Sequence, residues 1–541
     1  MYTIPFSVDA CSYKQTIKKL RSALRFGIDP KLESVEEMLD VLDRPDAQFT
    51  SIQIAGTNGK TSTARYTAAL LGACGLRCGL YTSPGLVAYT DRVEIAGVCV
   101  SQEEFALGIA AAQKAGACVN AARKKAGKEP YSITEFDLIT AGACVMFARA
   151  HCDCVVFECG MGGRWDATSA IQSITTVGIT GIGLDHMRIL GDTKEAIAAE
   201  KAAIIKTGRR CVLGVGTHET ASVCEVISNQ CAAANVEPVV VYEQPNAEGT
   251  TGAQSAAGLH EPALSTCAYM GPHSMSTYTI QHIPRRFSDA LALDIHTPIS
   301  TYTQVKAYKP VYQAANIAMA YALAEQFLTH ALPYAHAAQQ VLQCRTPGRF
   351  DMLSTQPLLL IDACHNPQSV DVFLSSLKHI NPVCLHDVVL LCAVFADKDV
   401  DGIVRRLASR FLHIVCTQTA NPRALPADEL ARRFAAYAGY MPTTYPTVSA
   451  AYQALHTTSL WLHAAPLHLP ANFLPLLLYT QKTSVHRLVA LCVHVACSVT
   501  LGVYFVRTRP YNWRYTAKII FRGKFLVKTL YYSYSSLGSF V

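Results

Sequence analysis

Acidic side chains run out at Glu429; from there to Val541 the chain has none. Residues 470–541 hold nine Lys or Arg, so the formal net charge of +7 is a property of the tail. The rest carries 38 basic against 40 acidic residues, and a near-neutral body gives no general case for nucleic-acid binding. Charged residues are only 16% of the chain and half the residues are apolar, enough at 541 residues to bury more than one core. Metal-type cysteine spacing is missing as well. None of the twenty cysteines forms a Cys-x-x-Cys pair; Cys152 and Cys154 stand one residue apart, Cys74 and Cys78 three. No secretory signal follows Met1, so reduced thiols in a cytoplasmic setting are expected.

What is present is organised around Ile52-Gln-Ile-Ala-Gly-Thr-Asn-Gly-Lys-Thr-Ser-Thr63. Alternating β-formers from Phe49 to Ala55 predict a strand, and the Ala/Leu-rich run Thr61–Leu71 predicts a helix. Between them Gly56 and Gly59 permit a tight turn with close backbone approach. Such a turn aims backbone N–H groups and a helix N-terminus at one point, which suits a phosphate chain. Gly56, Thr57, Asn58 and Gly59 are thus candidate nucleotide contacts. Lys60 is placed to reach the outer phosphates, and a Thr61 or Ser62 hydroxyl to face magnesium. The loop has two residues between its glycines where the standard one has four. The plain alternative is a strand–helix turn with an incidental lysine.

Helical spacing recurs over residues 13–44, from Gln102 to about Lys125, and from Ser132 through Ala150. Cys154–Gly160 is a short apolar strand ending in Glu158, a carboxylate poorly explained as core; strand carboxyl ends are where ligands sit in parallel sheets. Thr176–Ile182 is a further strand, expected beside it, that delivers Asp185-His186. A lone histidine there is more often structural, yet with Glu158 nearby a shared magnesium site is an alternative. Thr193–Ile205 is a helix bearing Glu200 and Lys201. Strands with long loops fill residues 240–300, and helices follow at 311–329 and 334–342. Leu358–Asp362 and Val388–Phe395 are buried strands ending in carboxylates, the second in Asp397-Lys-Asp399. Alternating strands and helices predict an α/β fold. A phosphate-loop-type, parallel-sheet ATPase domain is expected over residues 1–305, and a smaller Rossmann-like α/β domain over 306–455.

These residues resemble the folylpolyglutamate synthases and dihydrofolate synthases, relatives of the Mur peptide ligases. The matching pieces run in order: Gly56–Lys60, Thr82-Ser-Pro84, Asp91-Arg-Val93, Thr134-Glu-Phe-Asp137, Glu158–Thr168, Asp185-His186, Leu190–Thr193 and Ile197–Lys206. Gln313-Ala-Ala-Asn316, Pro347–Asp351 and Asp362–Pro367 complete them, so the resemblance spans roughly residues 13–455. It implies an ATP-driven, monomeric ligase that joins L-glutamate to dihydropteroate or a folate through an acyl phosphate. It implies magnesium, as two ions, at Ser83, Glu158 and His186, and a carbamylated Lys201; the alternative for Lys201 is a salt bridge to an acid such as Asp192. Asn316, Arg349 and Asp362 match nucleotide contacts from the far side of a cleft, and His365 matches a histidine near the reaction centre. The chain departs from the family at Ala363-Cys364 (usually Gly-Ala), at Asp91, Asp137 and Asp351 (usually Glu) and at Gly85 (usually His).

The tail, 456–541, departs entirely. The family closes with a strand and a Gly-Ser turn, and Thr457 onward displays neither. Leu488–Val506 is mostly apolar and followed by Arg507 and Arg509, which reads either as a membrane anchor or as a chain continued out of its ancestral frame. Two alternatives to the folate ligase stay open: a Mur-like cell-wall ligase, and a degenerate, membrane-tethered nucleotide-binding module.

Overall fold

The computed structural model describes residues 2–9, 11–23, 31–246, 272–355, 358–380, 388–457 and 488–493. Two helices, α1 (Tyr13–Ala23) and α2 (Glu33–Val41), precede the first strand, β1 (Thr50–Ala55), and the helix after the loop, α3 (Lys60–Ala73). Then come β2 (Cys78–Tyr81), β3 (Val93–Ile95), β4 (Val98–Cys99), α4 (Gln102–Lys125), α5 (Glu135–Arg149), β5 (Cys154–Glu158) and β6 (Ile174–Gly181). They are followed by α6 (Met187–Leu190), α7 (Lys194–Ala202), β7 (Arg210–Gly216), α8 (Ala221–Ala234), β8 (Val239–Gln244), β9 (Ser274–His282), β10 (Leu291–His296) and β11 (Thr301–Ala307). These strands form one eleven-stranded sheet in the order β11-β10-β9-β8-β7-β6-β1-β5-β2-β3-β4, parallel from β9 to β2.

β1 pairs in parallel with β5 on one side and β6 on the other. The strands ending at Glu158 and before His186, expected to be neighbours, instead flank the strand that feeds the phosphate loop. The expected alternation of β1 is real in sequence but not in exposure: Ser51 and Gln53 are as buried as Ile52 and Ile54. Gln53 escapes the desolvation cost by donating to Thr168 Oγ1 and Ser169 Oγ, both at 2.9 Å.

Helices α9 (Gln313–Leu328) and α10 (Tyr334–Gln343) follow. Ile317, Met319, Leu323 and Val341 share a core with Ile54, Tyr66 and Leu70 of β1 and α3. Both helices thus belong to the first lobe, and the division expected at residue 306 falls in the packing between Gln343 and Asp351.

The second lobe contains β12 (Asp351–Thr355), β13 (Leu358–Asp362), α11 (Pro367–Ile380), β14 (Val389–Ala393), α12 (Val400–Ala408), β15 (His413–Thr417), α13 (Ala427–Ala438), β16 (Thr443–Tyr445), α14 (Val448–Thr457) and β17 (Leu488–Val493). Its six-stranded sheet runs β12-β13-β17-β14-β15-β16. Here the tail departs from expectation: Leu488–Val493 is a strand in the middle of the sheet, parallel to β13 and β14. The rest of the 494–506 stretch lies outside the described residues. Among the described residues no helix is long and apolar enough to cross a membrane. Every cysteine whose side chain is described is a free thiol.

Candidate active site

The loop between β1 and α3 folds as the glycines require. Gly56 has φ +149° and Gly59 φ +87°. A Cβ at Gly59 would stand 2.5 Å from Asn316 Oδ1, and one at Gly56 would run into Thr180 Oγ1. No side chain caps α3 at Gly59, so its first-turn N–H groups face the cleft available to an anion. Thr57 Oγ1 donates to the Gly183 carbonyl (3.0 Å) and Thr180 Oγ1 to that of Asn58 (2.6 Å), fixing the loop against the end of β6. Lys60 Nζ turns back to the carbonyls of Gly56 (2.8 Å) and Thr57 (3.1 Å). Ser62 Oγ accepts from Gln313 and is buried, facing α9 rather than the cleft centre.

Beyond β5, Glu158 is buried, and its two oxygens accept from Thr61 Oγ1 (2.8 Å) and from the backbone N–H of Ser83 (3.2 Å). Burial raises its pKa against the pull of Lys60 and these two donors. Thr61, Ser83 and Glu158 are thus brought together as an oxygen-rich corner. Lys201, on α7, is buried and donates to the Gly56 carbonyl at 2.9 Å; this carbonyl, not Asp192, is its partner. Burial first, and Lys60 second, push its ammonium down to about 7.

Across the cleft, Asp362 ends β13 and accepts from the backbone N–H of Phe350 and Cys364, both at 2.8 Å. It thereby ties the Pro347–Asp351 turn to the loop carrying His365. Burial raises its carboxyl despite Arg349, whose guanidinium donates to the Ala363 carbonyl at 3.2 Å. Asn316 does not lie on this far side as expected. It sits on α9 beneath the loop, donating to Gln313 Oε1 (2.9 Å) and accepting from Thr63 (3.4 Å).

His186 stands at φ +52° just after β6, half-buried, and burial lowers its pKa to about 4. It neighbours Asp185, which accepts from His365 Nε2 (3.2 Å) and Lys398 Nζ (2.8 Å). Burial would raise the Asp185 carboxyl, but His365, His186 and Lys398 hold it well below the carboxylate range.

The Gly56–Ser62 loop, Ser83, Glu158, Asp185, His186, Lys201, Asn316, Arg349, Asp362, His365 and Lys398 all line one cleft of about 1420 Å³ between the lobes. Lys398 and Asp185 were named in sequence without a role; their position on loops after parallel strands was the available signal. Gln368, whose Oε1 accepts from Asn58 Nδ2 at 3.1 Å, gave no such signal. The departures at acidic positions are accommodated locally. Asp91 accepts from Val87 and Ala88 N–H, Asp137 from Thr134 N–H in a capping box, and Asp351 from Gly348 N–H. Ala363 does not take a positive φ, so glycine is not required there.

Two family models match the chain: one described as the Mur ligase middle domain at residues 54–249, and one as the Mur ligase, glutamate ligase domain at 348–459. A Mycobacterium tuberculosis dihydrofolate synthase/folylpolyglutamate synthase is 31% identical over 415 residues, covering 75% of this chain and 77% of that protein. The Bacillus subtilis dihydrofolate synthase/folylpolyglutamate synthase is 27% identical over 432 residues, covering 77% and 88%. The solved structure of M. tuberculosis folylpolyglutamate synthase complexed with ADP matches at a TM-score of 0.69 and 28% identity, over 82% of this chain and 91% of that one.

Proposed function

The chain belongs to the folylpolyglutamate synthase/dihydrofolate synthase family of Mur ligases, and we propose that its cleft joins the carboxylate of dihydropteroate or a folate to the amino group of L-glutamate, driven by ATP. The observation that carries this reading is the convergence, on one cleft, of the Gly56–Lys60 loop with Arg349, Asp362, His365 and Lys398 of the second lobe. In the first step a carboxylate oxygen bonds to the γ-phosphorus as the bond to ADP breaks, giving an acyl phosphate. The neutral glutamate amine then attacks the acyl carbon, the C–O bond to phosphate breaks, and inorganic phosphate leaves with the proton that the amine gives up.

Carboxylate and triphosphate repel each other, so the barrier is lowered chiefly by positioning and positive charge. Loop N–H groups and Lys60 hold the phosphates; Lys60 exchanges its contacts with the Gly56 and Thr57 carbonyls for phosphate oxygens. Asn316 supports the loop from below, while Arg349 and Asp362 serve the nucleotide from the second lobe. His365 stands at the junction, near the reacting carboxylate.

The residues also fit a hard divalent cation. The donors around Glu158 are oxygens, and among the described residues no group of three or more His, Cys, Asp or Glu forms a closed metal cage. Magnesium keeps water and phosphate ligands and takes few from protein, so an open corner suits it. Ser83, Glu158 and His186 are the proposed holders of two magnesium ions, which when bound neutralise phosphate charge. Lys201 is proposed to be carbamylated, which would turn an ammonium beside Lys60 into an anion. The enzyme is read as a cytoplasmic monomer without a nucleic-acid partner.

ADP release measured with dihydropteroate, tetrahydrofolate or a UDP-muramoyl substrate, each with and without glutamate, tests the reading. Glutamate-dependent release with a pteridine carboxylate is expected. Release with the muramoyl substrate alone, or with none, overturns it.

A further inference from the structure

We infer that Asp185 is a positioning residue that joins the two lobes and sets His365 and Lys398 against the reaction centre. Asp185 lies in the first lobe, on the loop leaving β6. Its Oδ1 accepts from Lys398 Nζ at 2.8 Å and its Oδ2 from His365 Nε2 at 3.2 Å, both from the second lobe. The side chains of Asp185 and Lys398 are only 10% and 6% exposed. Among the described residues the Lys398 salt bridge, the one Lys or Arg pair that crosses between the lobes, and the His365 imidazole contact both end on this carboxylate. In its own lobe it is held by the backbone N–H of His186, which donates to Oδ1 at 2.9 Å, with His186 Nε2 at 3.8 Å from Oδ2.

The two second-lobe groups arrive on loops that are already braced. The backbone N–H of His365 donates to Ser369 Oγ (3.0 Å), and its Nδ1 faces the Ala363 carbonyl (3.0 Å). The backbone N–H of Lys398 donates to the Phe395 carbonyl at 3.2 Å, and Asp399 caps α12 through Gly402 N–H at 2.9 Å. Asn58, on the loop after β1, reaches the second lobe through neutral bonds to Gln368 (3.1 Å) and Asn366 (3.3 Å), and Asp185 adds the charged link from the loop after β6. A charged, nearly dry carboxylate–ammonium bond is directional and costly to leave half-made, so it defines one register of the lobes.

The inference rests on the proposed ligase reading, but the two fail differently. If that reading is wrong, the unaltered enzyme shows no glutamate-dependent ADP release. If this inference is wrong, the enzyme is active and the variants below do not separate from it as expected.

Asp185→Asn keeps shape and one acceptor oxygen while losing the charge. It is expected to lower kcat on the order of 100-fold, the scale of a reacting group misplaced by about 1 Å, while KM for ATP rises far less, by about tenfold at most, since the Gly56–Lys60 loop holds the phosphates from the first lobe and only Arg349 and Asp362 shift with the second. Lys398→Met is expected to do the same. The double variant should be no more than about twofold slower than the worse single one, because both remove one bond. Wild-type kcat in Asp185→Asn overturns the inference, as does a double loss equal to the product of the single losses. Should Asp185→Asn fail to fold, Lys398→Met alone decides: wild-type kcat there is equally fatal.

Discussion

Lys60 and Lys201 donate to the same carbonyl oxygen, that of Gly56, at 2.8 and 2.9 Å. One ammonium belongs to the phosphate loop and the other to a helix more than a hundred residues further on. Lys201 is the buried member of the pair, so it is the one pushed down, to about 7, by burial and then by Lys60. A lysine near neutrality is a nucleophile as well as a cation, and CO₂ reacts with the neutral form.

Carbamylation therefore gives a signed pH prediction. Activation by bicarbonate should rise as pH increases through about 7 and vanish well below it. Lys201→Ala should be inactive, with partial rescue by short carboxylic acids that fill the vacated space. Electron density showing a bare ammonium on the Gly56 carbonyl at saturating bicarbonate would sink the idea.

The same shift affects stability before any carbamate forms. The folded pKa of Lys201 lies below an unfolded value of about 10.4, so the unfolded chain binds the extra proton between the two. The burden is full below about pH 7 and fades as pH rises toward about 10.4. With bicarbonate excluded, Lys201→Met should raise the melting temperature most at low pH. An equal gain at pH 6 and pH 10 contradicts the assignment.

Lys60→Ala should abolish ATP turnover while leaving the melting temperature nearly unchanged. Among the described residues Lys60 donates to two backbone carbonyls, and such losses typically stay within about 1 kcal/mol. ADP-release assays and thermal melts on one preparation check both halves, and retained ligase activity contradicts the nucleotide assignment.

The loop was legible in sequence because its glycines and flanking periodicities are local signals. The strand order was not. Nothing between Glu158 and His186 says that β1, a hundred residues earlier, lies between their strands. The Asp192 partner offered for Lys201 was likewise a guess from proximity in sequence, whereas burial delivered a carbonyl. The helix at 311–329 is expected in the second domain; its packing with α3 assigns α9 to the first lobe and brings Asn316 under Gly59.

Glu158→Gln and His186→Ala should each raise the magnesium concentration needed for half-maximal rate and lower the rate by orders of magnitude. Glu158 meets two hydrogen-bond donors in an oxygen-lined corner, while His186 is kept neutral by burial, as a metal-binding imidazole must be. A structure with ATP and magnesium in which neither side chain lies near an ion would falsify the assignment.

The last prediction reverses what the tail's composition suggests. A chain continued out of frame could be cut near Thr457 without harm, because Lys60, Lys201, His365 and the other named side chains precede residue 400. The sheet argues otherwise. β17 lies between β13 and β14, in register from Leu358 to Asp362 on one side and from Val389 to Ala393 on the other. Removing it strips ladder partners from two strands whose carboxyl ends carry Asp362, His365 and Lys398. Buried backbone groups left unpaired cost about 1–3 kcal/mol each, and several at once exceed the stability of a small lobe. A chain ending at Thr457 should therefore lose ligase activity and second-lobe protection from proteolysis. The first lobe, with its own core, should still bind ATP analogues through the Gly56–Lys60 loop. A truncated chain with full glutamate-dependent ADP release would show that β17 is dispensable and would return the tail to the status of an appendage.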